Sequence, residues 1–310
     1  MLREILDFNR RATRQLQQPS SLTLGGFLDR HGYSRELRDH YLLPMAAAIW
    51  SCPVEAMLAY PMHSFSRFFA NHGLLSLRNR PQWRSVRGGS YLYVKAMLRD
   101  LNQRARRDCR VEQVRRCADG RWSLHTTDGE LAGYDHVVLA CHADEAWAML
   151  APELRTDREP LAAFRYQQNR AVLHSDSGLM PRLRRVWSAW NYRSEQDTSG
   201  GRAVCVTYWM NRLQRLDSPQ PYFVTLNPLQ EPAPETVHAR MVYHHPVYDS
   251  EALRQQPRLQ SLQGRDGLWL CGSYSGYGFH EDALRSAVTV AERLGVQPPW
   301  VTRGERRGAA

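Results

Sequence analysis

The 310 residues suffice to bury a real core in one large or two modest domains, and 43% hydrophobic with 23% charged residues is the balance of a globular chain. No run of eighteen apolar residues occurs, which excludes a membrane-spanning helix, and the opening MLREILDFNRRATRQL lacks the apolar centre of a secretory signal, so a cytoplasmic chain is expected. The net charge is +10, but Lys95 is the only lysine and the arginines are dispersed in short clusters; this argues for a solvated basic surface over a specific nucleic-acid site and leaves peripheral contact with a membrane open.

Six cysteines (Cys52, Cys109, Cys117, Cys141, Cys205, Cys271) lie far apart with no Cys-x-x-Cys pair, so reduced, mostly buried thiols are expected rather than a zinc site or a disulfide framework. Residues 1–82 read as helical. Ser21 or Thr23 caps a helix over Leu24–Arg30 that Gly32 ends, and Ser34 caps another that runs until Pro44. Met45–Trp50 is small, apolar and expected to be buried. His63–Phe69 is aromatic, and Asn71-His72-Gly73 reads as a helix end.

At Arg87-Gly88-Gly89-Ser90 the character changes. The glycine pair feeds a helix with apolar positions at Tyr91, Val94, Met97, Leu98 and Leu101. Strands follow at Cys109–Arg116 and Trp122–Thr127, separated by the turns Asp119-Gly120 and Asp128-Gly129, before the continuous apolar run His136–Ala140. Four runs then alternate as an antiparallel sheet would: Ala171–His174, Val186–Trp190, Val204–Trp209 and Tyr222–Leu226. Turns are expected at 197–201, at Glu231–Pro234 and around His244-His245-Pro246; the tail from Arg303 should fray.

Leu268–Leu294 is the most informative stretch. A short apolar strand stops at Gly272, a turn with three glycines follows, and a helix carries Ala283, Leu284, Ala287, Val288, Ala291 and Leu294 on one stripe. Strand, glycine turn and helix present backbone N–H groups to an anionic or polar ligand, although an ordinary β–turn–α unit has the same spacing. His280-Glu281-Asp282 suits helix capping better than a metal, because three adjacent residues at a helix start do not converge on one ion.

Taken together these blocks resemble the flavin amine oxidase-like oxidoreductases, a superfamily that includes carotenoid desaturases. The order carries the likeness: Arg87-Gly88-Gly89-Ser90 with its helix, the meander, Asp135–Asp144, an antiparallel region, then Leu270-Cys271-Gly272 and Gly276–Asp282. HYLLPMAAAIWSCP, FFANHGLL, TYWMNRLQ, VTLNP and GYGFHEDALRSA are most similar to bacterial predicted NAD/FAD-binding proteins. The resemblance implies a mixed α/β and α+β fold: an FAD/NAD(P)-binding-type domain beside a substrate domain built from an antiparallel sheet and helices. It divides the chain into helical substrate residues 1–82, a partial FAD domain 83–150, an antiparallel substrate part 151–255, a return to the FAD domain at 256–300 and a disordered tail 301–310.

By the same resemblance FAD is the cofactor. Its expected contacts are Arg87, Gly88, Gly89, Ser90, Val111, Gly272, Ser273, Gly278, Phe279, His280, Glu281, Asp282 and Ala283, with the helix start near Glu281 aimed at the flavin pyrimidine oxygens. Many relatives carry an acid where Ser273 stands, and a glycine where Ala287 follows Ser286. Trp187, Trp190, Tyr192, Tyr208 and Trp209 would wall an apolar or acyl-chain substrate, or simply form a packed sheet face. Lys95 reads as solvated, so no catalytic base is assigned, and no metal is expected.

One departure stands out. Such proteins begin with a βαβ unit whose Gly-x-Gly-x-x-Gly holds the pyrophosphate, and no such motif occurs in this sequence. The expectation is therefore a family member lacking its first βαβ unit, whose strands would lie between the Val111 strand and the Val137–Leu139 strand. Two functions follow. One is a truncated FAD-dependent oxidoreductase completed by a partner chain that supplies the unit; the other is a non-catalytic interaction module that keeps the substrate domain.

Overall fold

Apolar residues three and four apart wind the first segment into α1 (Leu2–Gln15), which buries Ile5, Phe8 and Ala12. The computed structural model describes residues 1–17, 21–50, 57–76, 78, 82, 84–101, 104–196 and 202–300, so the expected turn at 197–201 and the tail lie outside the described residues. The chain divides into two compact units, residues 1–102 with 167–245 and residues 103–166 with 246–310.

In the first unit, Thr23 caps α2 (Leu24–Arg30) by accepting the Gly26 N–H at 3.1 Å. Pro44 does not stop the chain. The chain stays helical from Arg35–Leu37 through a wider π-helical stretch at Arg38–Leu42 into α3 (Leu43–Trp50), so the proline lies inside a continuous helix, directly after that irregular turn. The aromatic segment forms α4 (Met62–Asn71). Phe8 lies edge-on to Phe27, Tyr33 and Phe65, with ring centres 5.9, 5.8 and 6.1 Å away. The Gly88-Gly89 turn, with φ of +78° and +85°, leads into α5 (Tyr91–Leu101), none of whose residues is buried.

A small antiparallel meander opens the second unit: β1 (Val111–Arg116), β2 (Trp122–Thr126) and β3 (Gly129–Tyr134). The apolar run becomes β4 (Val137–Leu139), followed by α6 (Ala143–Met149). Trp122 is fully buried and donates its indole N–H to the Asp266 carbonyl at 2.9 Å. Arg158, also buried, donates to Leu154 O at 3.2 Å and lies 3.5 Å from the Asp266 carboxylate.

The first unit's sheet comprises β5 (Arg165–His174), β6 (Trp190–Gln196), β7 (Arg202–Trp209), β8 (Phe223–Leu226) and β9 (Val237–Val247), in the order β6-β7-β8-β5-β9. Two expectations are corrected here. The Val186–Trp190 strand is a 3-10 turn at Arg184–Val186, and the strand proper begins at Trp190. His244 and His245, expected in a loop, belong to the 11-residue β9, whose mixed polar sequence suits a strand at the sheet edge. Back in the second unit, α7 (Ser250–Leu262) leads to β10 (Leu268–Leu270), which pairs with β4 in parallel, Leu268 opposite Val137, and α8 (His280–Arg293) follows. Among the described residues β4 has a strand on one side only, and Val138 is 43% exposed.

Two measurements check the helical packing. Phe8→Ala removes a ring with no exposed surface and should lower unfolding free energy in urea by ~3–5 kcal/mol. Asp7 accepts from Arg10 and Arg11, each at 2.6 Å, and from the Tyr33 hydroxyl at 2.9 Å, which holds its carboxyl at about 2 against an ordinary 3.8. With the folded pKa depressed, this stabilisation is complete above 3.8 and disappears as pH falls through about 2. Asp7→Asn should therefore flatten the dependence of Tm on pH across that window and leave the slope above pH 5 unchanged.

Candidate cofactor site

Gly272 ends the fully buried β10, and an added Cβ there would come within 2.4 Å of the Tyr274 ring. That crowding lets the turn fold back directly over its own strand. Gly278 adopts φ +94° with its backbone against the Tyr248 side chain, a conformation open to glycine and strained for other residues. Between these two points the main chain reverses sharply, and side chains from three directions satisfy its polar groups.

Tyr248 donates its hydroxyl to Ser273 O at 3.1 Å. Gln256 of α7 donates its side-chain N–H groups to Tyr274 O at 2.9 Å and Gly276 O at 2.6 Å. Ser286 of α8 accepts the Gly272 N–H at 2.9 Å. The Asp282 carboxylate accepts the N–H groups of both Tyr277 and Phe279 at 3.0 Å, locking the turn to the helix start. The N–H groups of His280 and Glu281, first in α8, have no acceptor among the described residues. Two free donors at the positive end of a 14-residue helix suit an anionic or carbonyl oxygen.

Gly272, Ser273, Gly278, Phe279, His280, Glu281, Asp282 and Ala283 are thus gathered in one turn and helix start. Val111, in the same unit, begins β1 opposite Thr126. Arg87, Gly88, Gly89 and Ser90 belong to the other unit, immediately before α5. Asp282 is engaged as a backbone acceptor at the helix start, and Glu281 is exposed with Arg285 3.8 Å away. Lys95 lies exposed on α5.

Tyr248 and Gln256 were not legible as site residues. Nothing in the local pattern marks a tyrosine before a helix or a glutamine within one; their roles appear only once α7 lies against the turn. Burial disfavours the thiolate form of the nearby cysteines. Burial pushes Cys141 up to about 11 and raises Cys271 as well.

The five aromatic residues expected to wall a substrate do not share a wall. Strand pairing puts Trp190 opposite Tyr208, and Tyr192 opposite Val206, on one face. Trp209 pairs with Phe223 on the opposite face, where Trp187 meets both rings edge-on at 5.3 and 5.8 Å. The second face also buries a polar row. Asp176 N–H donates to His174 Nδ1 at 3.2 Å, which puts the ring proton on Nε2, and Nε2 lies 2.8 Å from Thr225 Oγ1, itself 2.9 Å from Thr207 Oγ1. Burial lowers the His174 pKa and keeps the ring neutral.

The family model described as flavin containing amine oxidoreductase matches residues 2–295. The chain belongs to that family. Its cofactor is accordingly FAD, and the α8 start, with its two unpaired N–H groups, fits the polar edge of such a ring. No curated protein matches in sequence. Solved structures show the same fold. A putrescine oxidase is 12% identical with a TM-score of 0.65, covering 94% of this chain and 74% of its own. The cyclohexylamine oxidase of Brevibacterium oxydans is 12% identical with a TM-score of 0.59, covering 95% and 76%. A fatty acid isomerase from P. acnes that produces CLA is 14% identical with a TM-score of 0.59, covering 94% and 74%.

Asp282→Ala removes the acceptor of two turn amides and should cost ~1–2 kcal/mol. Amide hydrogen exchange at Tyr277 and Phe279 should accelerate about tenfold or more, while Glu281→Ala leaves both unchanged.

Proposed function

We propose that this chain is the substrate-bearing part of a FAD-dependent oxidoreductase acting on an apolar or acyl-chain substrate. The observation that carries the reading is the α8 start: a glycine turn fixed by Tyr248, Gln256, Asp282 and Ser286, with the N–H groups of His280 and Glu281 left for a ligand. Bound FAD would supply the two-electron acceptor for a hydride leaving a substrate carbon. The helix start would then hold the negative charge that develops on the ring oxygens, and the rigid turn would fix its distance from them. Trp190, Tyr192 and Tyr208 form the more accessible aromatic face, with Trp190 39% exposed, and are the better candidates for apolar substrate contact than the packed Trp187–Trp209 pair.

The sequence lacks Gly-x-Gly-x-x-Gly, so the pyrophosphate site in this reading comes from a strand–turn–helix unit carried in cis or by a partner chain. That same lack favours a second reading, a silent module that retains the substrate domain. Titration with FAD, without and with a co-expressed polypeptide bearing such a unit, separates the two. The first reading expects a yellow complex with quenched flavin fluorescence when the unit is supplied, weakened about tenfold by Asp282→Ala. A colourless, monodisperse chain under both conditions sinks it and leaves the module.

A further inference from the structure

The two edges of the parallel pair β10–β4 are finished differently. Residues along a parallel strand alternate, one turning its N–H and C=O to the neighbouring strand and the next turning both away. The Cys271 N–H donates to Leu139 O at 3.1 Å, with Leu270 opposite Leu139, so Val137 and Leu139 bond to β10 while Val138 turns its peptide groups outward. On β10 the outward residues are Leu268 and Leu270, and the chain itself covers them. The Gln263 side chain accepts the Leu270 N–H at 3.0 Å and donates to Leu270 O at 2.7 Å, as a neighbouring strand would. The Gly264 N–H donates to Leu268 O at 2.9 Å. Val138 receives no such cover: among the described residues neither its N–H nor its C=O has a hydrogen-bond partner.

The side chain is uncovered too. Val138 lies opposite Trp269 in the register, on the face where Trp269, Cys271 and Val290 of α8 pack together. Trp269 is buried there, whereas Val138 is 43% exposed, and His136 and Ala140 on either side of it are exposed as well. α8 therefore covers β10 and leaves β4 bare. Parallel strands occur almost only where both faces of the sheet are covered, and an open apolar edge is a template for a further strand. β4 and β10 each run into a helix, α6 and α8. The same pattern repeated once supplies both missing parts: a strand for the edge and, after it, a helix for the face over Val138. A second copy of this chain offers at that edge only another three-residue strand. The solved structures of this fold are matched over 74 to 76% of their own length, so each carries further chain with no counterpart here.

We propose that the outer edge of β4 receives an extended apolar segment of another polypeptide as a parallel strand centred on Val138, and that the helix following this segment lies beside α8 over the Val138 side chain. This rests on the reading that a strand–turn–helix unit completes the chain, and it assigns the edge and the strand direction by which that unit is held. Recognition is mainly through main-chain hydrogen bonds, with an apolar side chain of the partner against Val138.

Amide hydrogen exchange followed by NMR tests it, on the whole chain alone and mixed with a polypeptide made of an apolar strand, a Gly-x-Gly-x-x-Gly turn and a helix. Alone, the Val138 amide should exchange quickly, while the Leu139 amide, bonded to β10, is slow. In the mixture Val138 should slow about tenfold or more, with Leu139 and Leu270 unchanged. Light scattering should show a one-to-one complex. Val138→Lys, a change at an exposed side chain, should abolish that complex without lowering Tm. No complex, a complex in which Val138 exchanges as before, or one that Val138→Lys leaves intact overturns the proposal. So does a dimer of the chain alone with Val138 already protected, which makes a second copy the occupant. FAD added to the same mixture separates this from the cofactor reading: a colourless complex with Val138 protected keeps the strand edge and sinks the flavin, and a yellow complex with Val138 unprotected does the reverse.

Discussion

A tight reversal of the main chain between a buried strand and a helix exposes peptide groups that no regular hydrogen-bond ladder can satisfy. At Gly272–Phe279 they are satisfied by side chains from elsewhere in the second unit: Tyr248 ahead of α7, Gln256 within it, and Asp282 and Ser286 on α8. The side chains hold the turn, and among the described residues the N–H groups of His280 and Glu281 at the helix start have no acceptor. The geometry of the candidate cofactor site depends on those anchors.

The parallel pair β4–β10 carries this turn, and it is covered unevenly. Val137 and Leu139 face a large apolar cluster, whereas the opposite side has only Trp269, Cys271 and Val290 packed together, with Val138 exposed on β4. Parallel strands are ordinarily buried on both faces because their peptide groups and apolar side chains have little tolerance for water. Leu284 on α8 is also exposed. In the proposed reading, these surfaces are where a strand–turn–helix unit would rest.

The antiparallel sheet shows how pairing parity assigns roles. Neighbouring residues of a strand point to opposite faces, so Tyr208 and Trp209, adjacent in sequence, join different neighbours: Tyr208 meets Trp190, and Trp209 meets Trp187 and Phe223. An aromatic-rich stretch thus supplies a packed interior on one face, together with the buried His174–Thr225–Thr207 row, and a more open face on the other.

Much of this was readable from residues alone. Local signals work over a few positions, and they marked the Thr23 cap, the Asp-Gly turns of the meander, the β10–Gly272–α8 unit and the family to which the blocks belong. Pro44 misled because a π-helical stretch at Arg38–Leu42 directly precedes it and the helix runs on through the proline, and β9 was missed because an edge strand needs no apolar alternation. What the sequence could not assign was any role that depends on distant partners. Gln256 and Tyr248 became anchors of the glycine turn, Trp187 and Trp209 became an edge-on pair on the sheet face away from Trp190, and the Tyr91–Leu101 stripe was left exposed, only through tertiary packing. Periodicity records which side of an element is apolar, while the neighbour that meets that side, or its absence, is decided by how the elements assemble.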